Sequence, residues 1–302
     1  MHPRLGDAAV QLSEVDEPLE ESAALAWQLA PKLCYRDPGT GETCAWYHGF
    51  WQYLRLLGFA MTPAYHAAFY RAAFHKAAER DPVRRVLISA SADYCTLAHA
   101  AAFLHERGSD PQFTVVDRCE TALALNRWYA ERLGLRLTTW CGDILGFEER
   151  ESYDVICTHS FFGRFLPAQR PALVRQWATL LRPGGVAITV NRIQPSASAG
   201  MPTAFNPDHR KAFREALLKA AEARHGLPGV GASELESAAD AYTRQPAGYP
   251  VRSREEFREL FDRPEFEILD LSWAPVAKRA HSYVGPRTPG NDEYGHIIAA
   301  RR

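Results

Sequence analysis

Three absences bound what this chain can be. Charge of either sign is not in excess: 35 Lys and Arg against 36 Asp and Glu leave a formal net charge of -1, so no global field draws the protein to nucleic acid or to an anionic membrane. No run approaches the roughly 18 apolar residues of a membrane-spanning helix, and nothing near residue 1 joins a basic segment to an apolar stretch and a small-residue cleavage site. The expectation is a cytoplasmic protein with a small-molecule partner, without nucleic-acid or membrane partners. Its oligomeric state is left open, a homodimer being one option. Paired cysteines are also missing. Cys34, Cys44, Cys95, Cys119, Cys141 and Cys157 are scattered through a long chain, which reads as reduced thiols in or near a core rather than a disulfide framework. Cys34, Cys44 and His48 raise the question of zinc, but there is no Cys-x-x-Cys and no evident fourth ligand, so no metal is expected.

What is present is enough apolar residue, 46% of 302, to fill the core of a large α/β domain. Residues 1 to about 22 are acidic and aperiodic and predict a loosely ordered arm. Residues 23–82 carry apolar positions at three- and four-residue spacing, as in Trp51, Leu54 and Leu57, and predict a helical N-terminal lid. From residue 83 the texture changes to short β-branched runs separated by helical stretches, the pattern of parallel βαβ units. Five runs predict strands, at 85–89, 113–117, 137–140, 153–157 and 185–190. Helices are expected at 96–107 and 119–133, each followed by a terminating glycine, Gly108 or Gly134. Residues 191–250 form a long insertion with one good helix near 207–224. Two more strands, 266–272 and 295–300, flank a turn-rich stretch with Gly285, Pro286, Pro289 and Gly290, as an antiparallel edge pair requires. The fold class is therefore a doubly wound, seven-stranded, mostly parallel sheet with an antiparallel last strand, plus the helical layer.

Ligands of such sheets sit beyond the carboxyl ends of the strands, so the residues after each run are the informative ones. The first run leads into Ala90-Ser91-Ala92-Asp93, small residues that let a backbone pass close to a ligand. The second ends in Asp117, followed by Arg118; a carboxylate there can accept both hydroxyls of a ribose. The third is followed by Gly142-Asp143-Ile144, a second acid 26 positions after the first. Each acid alone is also an ordinary helix cap; two at successive strand ends beside a small-residue turn are the discriminating feature.

On these residues, together with Leu181-Arg182-Pro183-Gly184-Gly185, the chain from about 83 to 302 resembles class I, Rossmann-like S-adenosylmethionine-dependent methyltransferases. The resemblance implies S-adenosylmethionine as cofactor, with Ala90, Ser91, Ala92 and Asp93 as the cofactor loop. Asp117 with Arg118 would serve the ribose, and Asp143 and Ile144 the adenine. The chain departs from the family where acidic and glycine positions are usual: Ile88 stands near the end of the first strand, and Ala90 and Ala92 replace the Gly-x-Gly turn. Asp93 is then the candidate to meet the cofactor's ammonium group. Two other readings share part of this pattern. A nicotinamide-dependent oxidoreductase would need the absent Gly-x-Gly-x-x-Gly fingerprint, and a methyltransferase-like regulatory protein without catalysis would explain the altered turn.

Methyl transfer is an in-line displacement that gains most of its rate from alignment, with a base only where the acceptor must lose a proton. His159, just past the fourth strand, is the candidate base. Phe161 and Phe162 beside it, and Tyr47, His48 and Trp51 in the aromatic segment of the lid, are the expected acceptor-binding residues. Aromatic faces also favour a sulfonium cation.

Overall fold

The computed structural model describes residues 15–276 and 292–302. Its centre is a seven-stranded sheet of β1 (Arg85–Ser89), β2 (Gln112–Asp117), β3 (Leu137–Cys141), β4 (Tyr153–His159), β5 (Leu181–Ile193), β6 (Phe266–Pro275) and β7 (Glu293–Arg301). The order is β3-β2-β1-β4-β5-β7-β6. Strand β7 runs antiparallel to both β5 and β6, and the other pairings are parallel. The direction of winding reverses between β1 and β4, the switch point at which such sheets open a crevice. Each predicted strand is present, β5 being much the longest. The stretch containing Gly285 to Gly290 lies outside the described residues.

Alternation along the strands supplies both faces of the sheet. Val86 and Ile88, with Val115, Val155 and Cys157, face one core, against α3 (Ala67–Arg80), α4 (Cys95–His105) and α5 (Glu120–Leu133). Leu87, Val116, Ile156 and Ala187 face the other, against α6 (Arg170–Leu180) and the segment from Phe257 to Phe266. The Pro-Gly-Gly entry to β5 is dictated by space. A Cβ on Gly185 would lie 2.9 Å from the carbonyl oxygens of both Arg182 and Tyr153, where the β4–β5 register is irregular.

A third core lies apart from the sheet. It joins α2 (Ala45–Leu56) to α7 (Pro207–Ala223) and α8 (Ala232–Arg244) through Phe50, Tyr53, Leu54, Phe213, Leu217 and Leu235. The helical layer is thus built from two segments distant in sequence, residues before the first strand and the insertion after the fifth. Helix α8, not expected from the sequence, carries an apolar stripe of Leu235, Ala238, Ala239 and Tyr242 at helical spacing that faces this third core rather than the sheet. Helix α1 (Leu19–Leu33) packs on α2 through small residues; a Cβ on Gly49 would sit 3.3 Å from the Cβ of Ala30.

The expected loose arm to residue 22 ends sooner. Ser22 is fully buried and bonds Tyr94 at 3.1 Å, Tyr129 donates its hydroxyl to the Asp16 carbonyl at 2.9 Å, and Glu17 pairs with Arg55. Glu17 there has a specific partner rather than a solvated surface. Residues 1–14 lie outside the described residues.

If α2, α7 and α8 form one cooperative unit, Phe213→Ala, which empties a fully buried aromatic site, should destabilise that layer by about 3–5 kcal/mol. Hydrogen exchange should then rise together in all three helices and little in β1 and β4. A rise confined to α7 would contradict a shared core.

Candidate active site

The carboxyl ends of β1 to β4, closed over by α2, enclose a cavity of about 460 Å³, within the range typical of small-molecule sites. Ala90, Ser91, Ala92, Asp93, Asp117, Arg118, Asp143, Ile144, Tyr47, His48, Trp51, Phe161 and His159 all line it. Phe162 does not. Beyond Phe161 the chain tightens into a 3-10 turn, Phe162–Arg164, which turns Phe162 under the sheet. There it is fully buried against Trp177, with ring centroids 5.5 Å apart, and against Phe257 and Phe261. Its place as an acceptor-binding residue is corrected to a core residue.

The loop after β1, the expected cofactor loop, is held by the strand beside it. Ala90 adopts φ +67°, the left-handed region, at a position where glycine would be unstrained, for a cost of roughly 1–2 kcal/mol. Its amide donates to the Val116 carbonyl at 2.9 Å. The next amide, of Ser91, donates to Asp117 Oδ2 at 3.1 Å, and the Cys119 amide donates to Asp117 Oδ1 at 2.8 Å. Two amides thus fix the Asp117 carboxylate and leave each oxygen a further lone pair. Burial pushes the Asp117 pKa up; the nearby His48 and the two amide bonds pull the other way.

Asp93 has a different employment from the one its position suggests. Its Oδ1 accepts the Cys95 amide at 2.6 Å at the start of α4, and its Oδ2 accepts Trp51 Nε1 at 2.7 Å and Arg55 Nη1 at 3.0 Å. Arg55 is itself buried, and although burial opposes its charge, Asp93 and Glu17 hold its pKa well above the ordinary value. Nothing in the sequence marked Arg55, which looks like one more polar residue on an amphipathic helix. Asp93 therefore ties the helical layer to the cofactor loop, and its charge is met by a guanidinium.

At the third strand end, Asp143 is exposed, and its Oδ1 caps the following turn by accepting the Leu145 amide at 3.0 Å. Gly142 is required by the Trp140 ring, since a Cβ would fall 2.3 Å from it.

Beyond β4, His159 Nδ1 lies 3.1 Å from the Tyr70 hydroxyl, which donates its single proton to the Thr158 carbonyl at 2.9 Å. Nε2 is buried and has no hydrogen-bond partner. Burial first, with the nearby His296 and His99, holds the His159 pKa at about 3, against the opposing Met61 carbonyl. Ser160 follows with φ +52°, a strained turn that aims the segment into the crevice.

Arg164 escaped sequence reasoning. It lies over the Tyr47 ring at 5.2 Å and borders both the main cavity and a side pocket of about 180 Å³ that also holds Asn191, Gln194 and Tyr242. Tyr242 comes from α8 and stacks on Tyr47 at 6.4 Å.

Residues 95–185 match a family model described as a methyltransferase domain. The chain is similar in fold to a putative sarcosine dimethylglycine methyltransferase from Galdieria sulphuraria, at 12% identity, covering 93% of this chain and 98% of that one with a TM-score of 0.50. A geranyl diphosphate methyltransferase solved in complex with SAM aligns over 88% of this chain and 93% of that one, at 13% identity and a TM-score of 0.47. A search of curated proteins finds no match. The stretch similar to a methyltransferase domain thus runs from the start of α4 to the entry of β5 and contains the half-buried acid fixed at the end of β2, and the whole sheet, with its reversed last strand, has the fold of the similar structure.

Proposed function

We propose that the cavity holds the cofactor across the ends of β1, β2 and β3 and presents its methyl group to a small-molecule acceptor seated between Arg164, Phe161 and His159. The observation that carries this reading is the convergence of Asp117, Asp143, Ile144 and His159 on one cavity beneath α2. When bound, S-adenosylmethionine supplies an activated methyl on a sulfonium sulfur. Asp117 accepts the ribose hydroxyls with the lone pairs that Ser91 and Cys119 leave free. Asp143 and Ile144 border the adenine. Tyr47 and Trp51, with ring centroids 5.3 Å apart, offer π faces to a cation and exclude water. Residues 23–82 act as a lid, with part of the insertion 191–250 as its outer support.

On the acceptor side, His159 stays neutral throughout the physiological range. Nε2 is covered by protein in this structure, so His159 positions the acceptor through the part of its ring that lines the cavity, and Nε2 reaches an acceptor O–H, N–H or S–H only after the ring turns. Arg164, with the polar side pocket beside it, suits an acceptor carrying an anionic or strongly polar group.

Two outcomes follow. Asp117→Ala should lose about 1.5–3 kcal/mol of cofactor binding, tenfold or more in affinity, because hydrogen bonds to a charged acceptor are removed. In the unsubstituted protein affinity should be full above the Asp117 pKa and fall as pH drops through it, at a pH higher than an ordinary Asp would give, since the pKa is raised. Calorimetric titration with S-adenosylmethionine across pH checks both, and an acid limb that persists unchanged in Asp117→Ala contradicts the assignment.

His159→Ala should lower kcat by about 10²-fold or more with cofactor affinity nearly intact. Because the His159 pKa sits at about 3, the activity of the unsubstituted protein should show no His159-dependent acid limb around the ordinary histidine value of about 6.5. Single-turnover transfer at several pH values decides. A loss of less than about threefold, or a limb near 6.5 that vanishes in His159→Ala, would remove this role.

A further inference from the structure

The fold brings together three sulfurs and an imidazole that the sequence keeps apart. Cys34 caps the end of α1, Cys44 precedes α2, His48 lies one turn into α2, and Cys119 precedes α5. The loop between the first two is closed by a bridge from Arg36 to Thr43 and by the Gly41 amide donating to the Asp37 carbonyl at 2.8 Å, so Cys34 and Cys44 sit side by side. Cys119, 75 residues beyond Cys44 in sequence, arrives from the sheet. Spacing alone offers no fourth ligand; β2 delivers it.

The distances are those of a coordination shell rather than of a packed core. Cys34 Sγ is 3.4 Å from Cys119 Sγ and 3.7 Å from His48 Nδ1, and Cys44 Sγ is 3.7 Å from Cys119 Sγ. One donor atom from each of the four residues lies within 4.8 Å of every other. Zinc bonds of about 2.3 Å to sulfur and about 2.0–2.1 Å to nitrogen set tetrahedral edges of roughly 3.8 Å between sulfurs and roughly 3.5 Å between sulfur and nitrogen. A disulfide needs about 2.05 Å, and all these thiols are free. One side of the cluster is apolar, from Ala30 and Ala45, with Thr121 Oγ1 3.2 Å from Cys34 Sγ; on the other, Cys44 and His48 border the main cavity beside Asp117. Thiols are weak hydrogen-bond partners, so mutual hydrogen bonding gives little reason for three of them to meet an imidazole here.

We propose that Cys34, Cys44, His48 and Cys119 bind one structural zinc ion that fastens the α1–α2 loop to the turn between β2 and α5. Each thiol that coordinates releases its proton, so three thiolates and a neutral histidine leave the centre with one net negative charge and no open position for a substrate. The staple lies two residues from the ribose acid, and the Cys119 amide already holds the Asp117 carboxylate. Metal binding therefore orders the lid and the cofactor turn together.

The test uses the full-length protein, purified, exposed to zinc and dialysed. Elemental analysis should give one zinc per chain, and replacement by cobalt(II) should give the intense ligand-field and sulfur charge-transfer absorption of a tetrahedral, thiolate-rich site. Cys119→Ser should lose the metal and melt at lower temperature, whereas Cys141→Ser, at an exposed thiol outside the cluster, should keep it. Stripping zinc from the unsubstituted protein should weaken S-adenosylmethionine binding, and adding it back should restore it. Metal content well below one per chain after zinc exposure, an octahedral cobalt spectrum, full metal retention in Cys119→Ser, or a native Cys34–Cys119 disulfide by thiol titration would each overturn the proposal. The spectrum and the metal count are read on the unsubstituted chain, so they stand even if Cys119→Ser fails to fold, and they do not depend on which acceptor is methylated.

Discussion

The buried carboxylate of Asp93 is the joint on which the site depends. It lies in the turn between β1 and α4, and its charge is answered from a different layer of the molecule, by Arg55 and Trp51 of α2. Both members of the ion pair are nearly inaccessible, with side-chain exposures of 3% each. In such a place removing one partner costs far more than the pair contributes over an apolar replacement, about 3–5 kcal/mol, because a lone charge is left buried. The pair is therefore better understood as setting register than as adding stability: α2 can sit over the crevice in one position only, the one in which Arg55 and the indole nitrogen both reach Asp93. Glu17, Gln52 and the face of Tyr94 complete the surroundings of the guanidinium, so the beginning of the described chain is locked by the same charge.

That constraint explains the aromatic density of α2. A helix pinned across a ligand crevice cannot present lysines and glutamates to the ligand without further desolvation. Its inner face is instead Trp46, Tyr47, His48 and Trp51, and its outer face packs on α7 and α8. It also bears on Ala90. A glycine at a left-handed φ would be less strained but looser. Here the turn is held by the Ala90 amide on Val116 and by Asp93 on α4, and the strain is carried by a loop over-determined on both sides. The turn after β1 reaches by tertiary contacts a left-handed shape that glycine would adopt without strain.

Much of this was legible in the sequence, and what was not has a common cause. Strands of β-branched residues must alternate or be buried on both faces, so β1 to β5 and the edge pair announced themselves, and with them the mostly parallel sheet with its reversed last strand and the acids at strand ends. Asp117 and Asp143 stand where periodicity placed them. The failures are contacts between segments remote in sequence. Arg55 looks like a solvated residue until Asp93 is seen beneath it, and Phe162 looks equivalent to Phe161 until a tight turn sends it into the core. Cys119 becomes the fourth member of a cluster only when β2 meets the lid. Helix α8 differs: its period of Leu235, Ala238, Ala239 and Tyr242 was there to be read, and only its partner α2, some 190 residues away, was not. The partner that Asp93 already has, Arg55, was not legible because it lies upstream of everything the strand-end pattern considers.

The most direct test of the account is a crystal structure of the protein with S-adenosylhomocysteine, the demethylated product of the cofactor. The ribose hydroxyls should lie on the Asp117 carboxylate, with the adenine beside Asp143 and Ile144. The sulfur should point toward Tyr47 and the His159 side of the cavity, with Asp93 still bonded to Arg55 and Trp51. A nucleoside bound elsewhere, or bound here only after α2 has swung away and the Asp93–Arg55 pair has broken, would contradict the claim that the helical layer and the cofactor loop form one preassembled site.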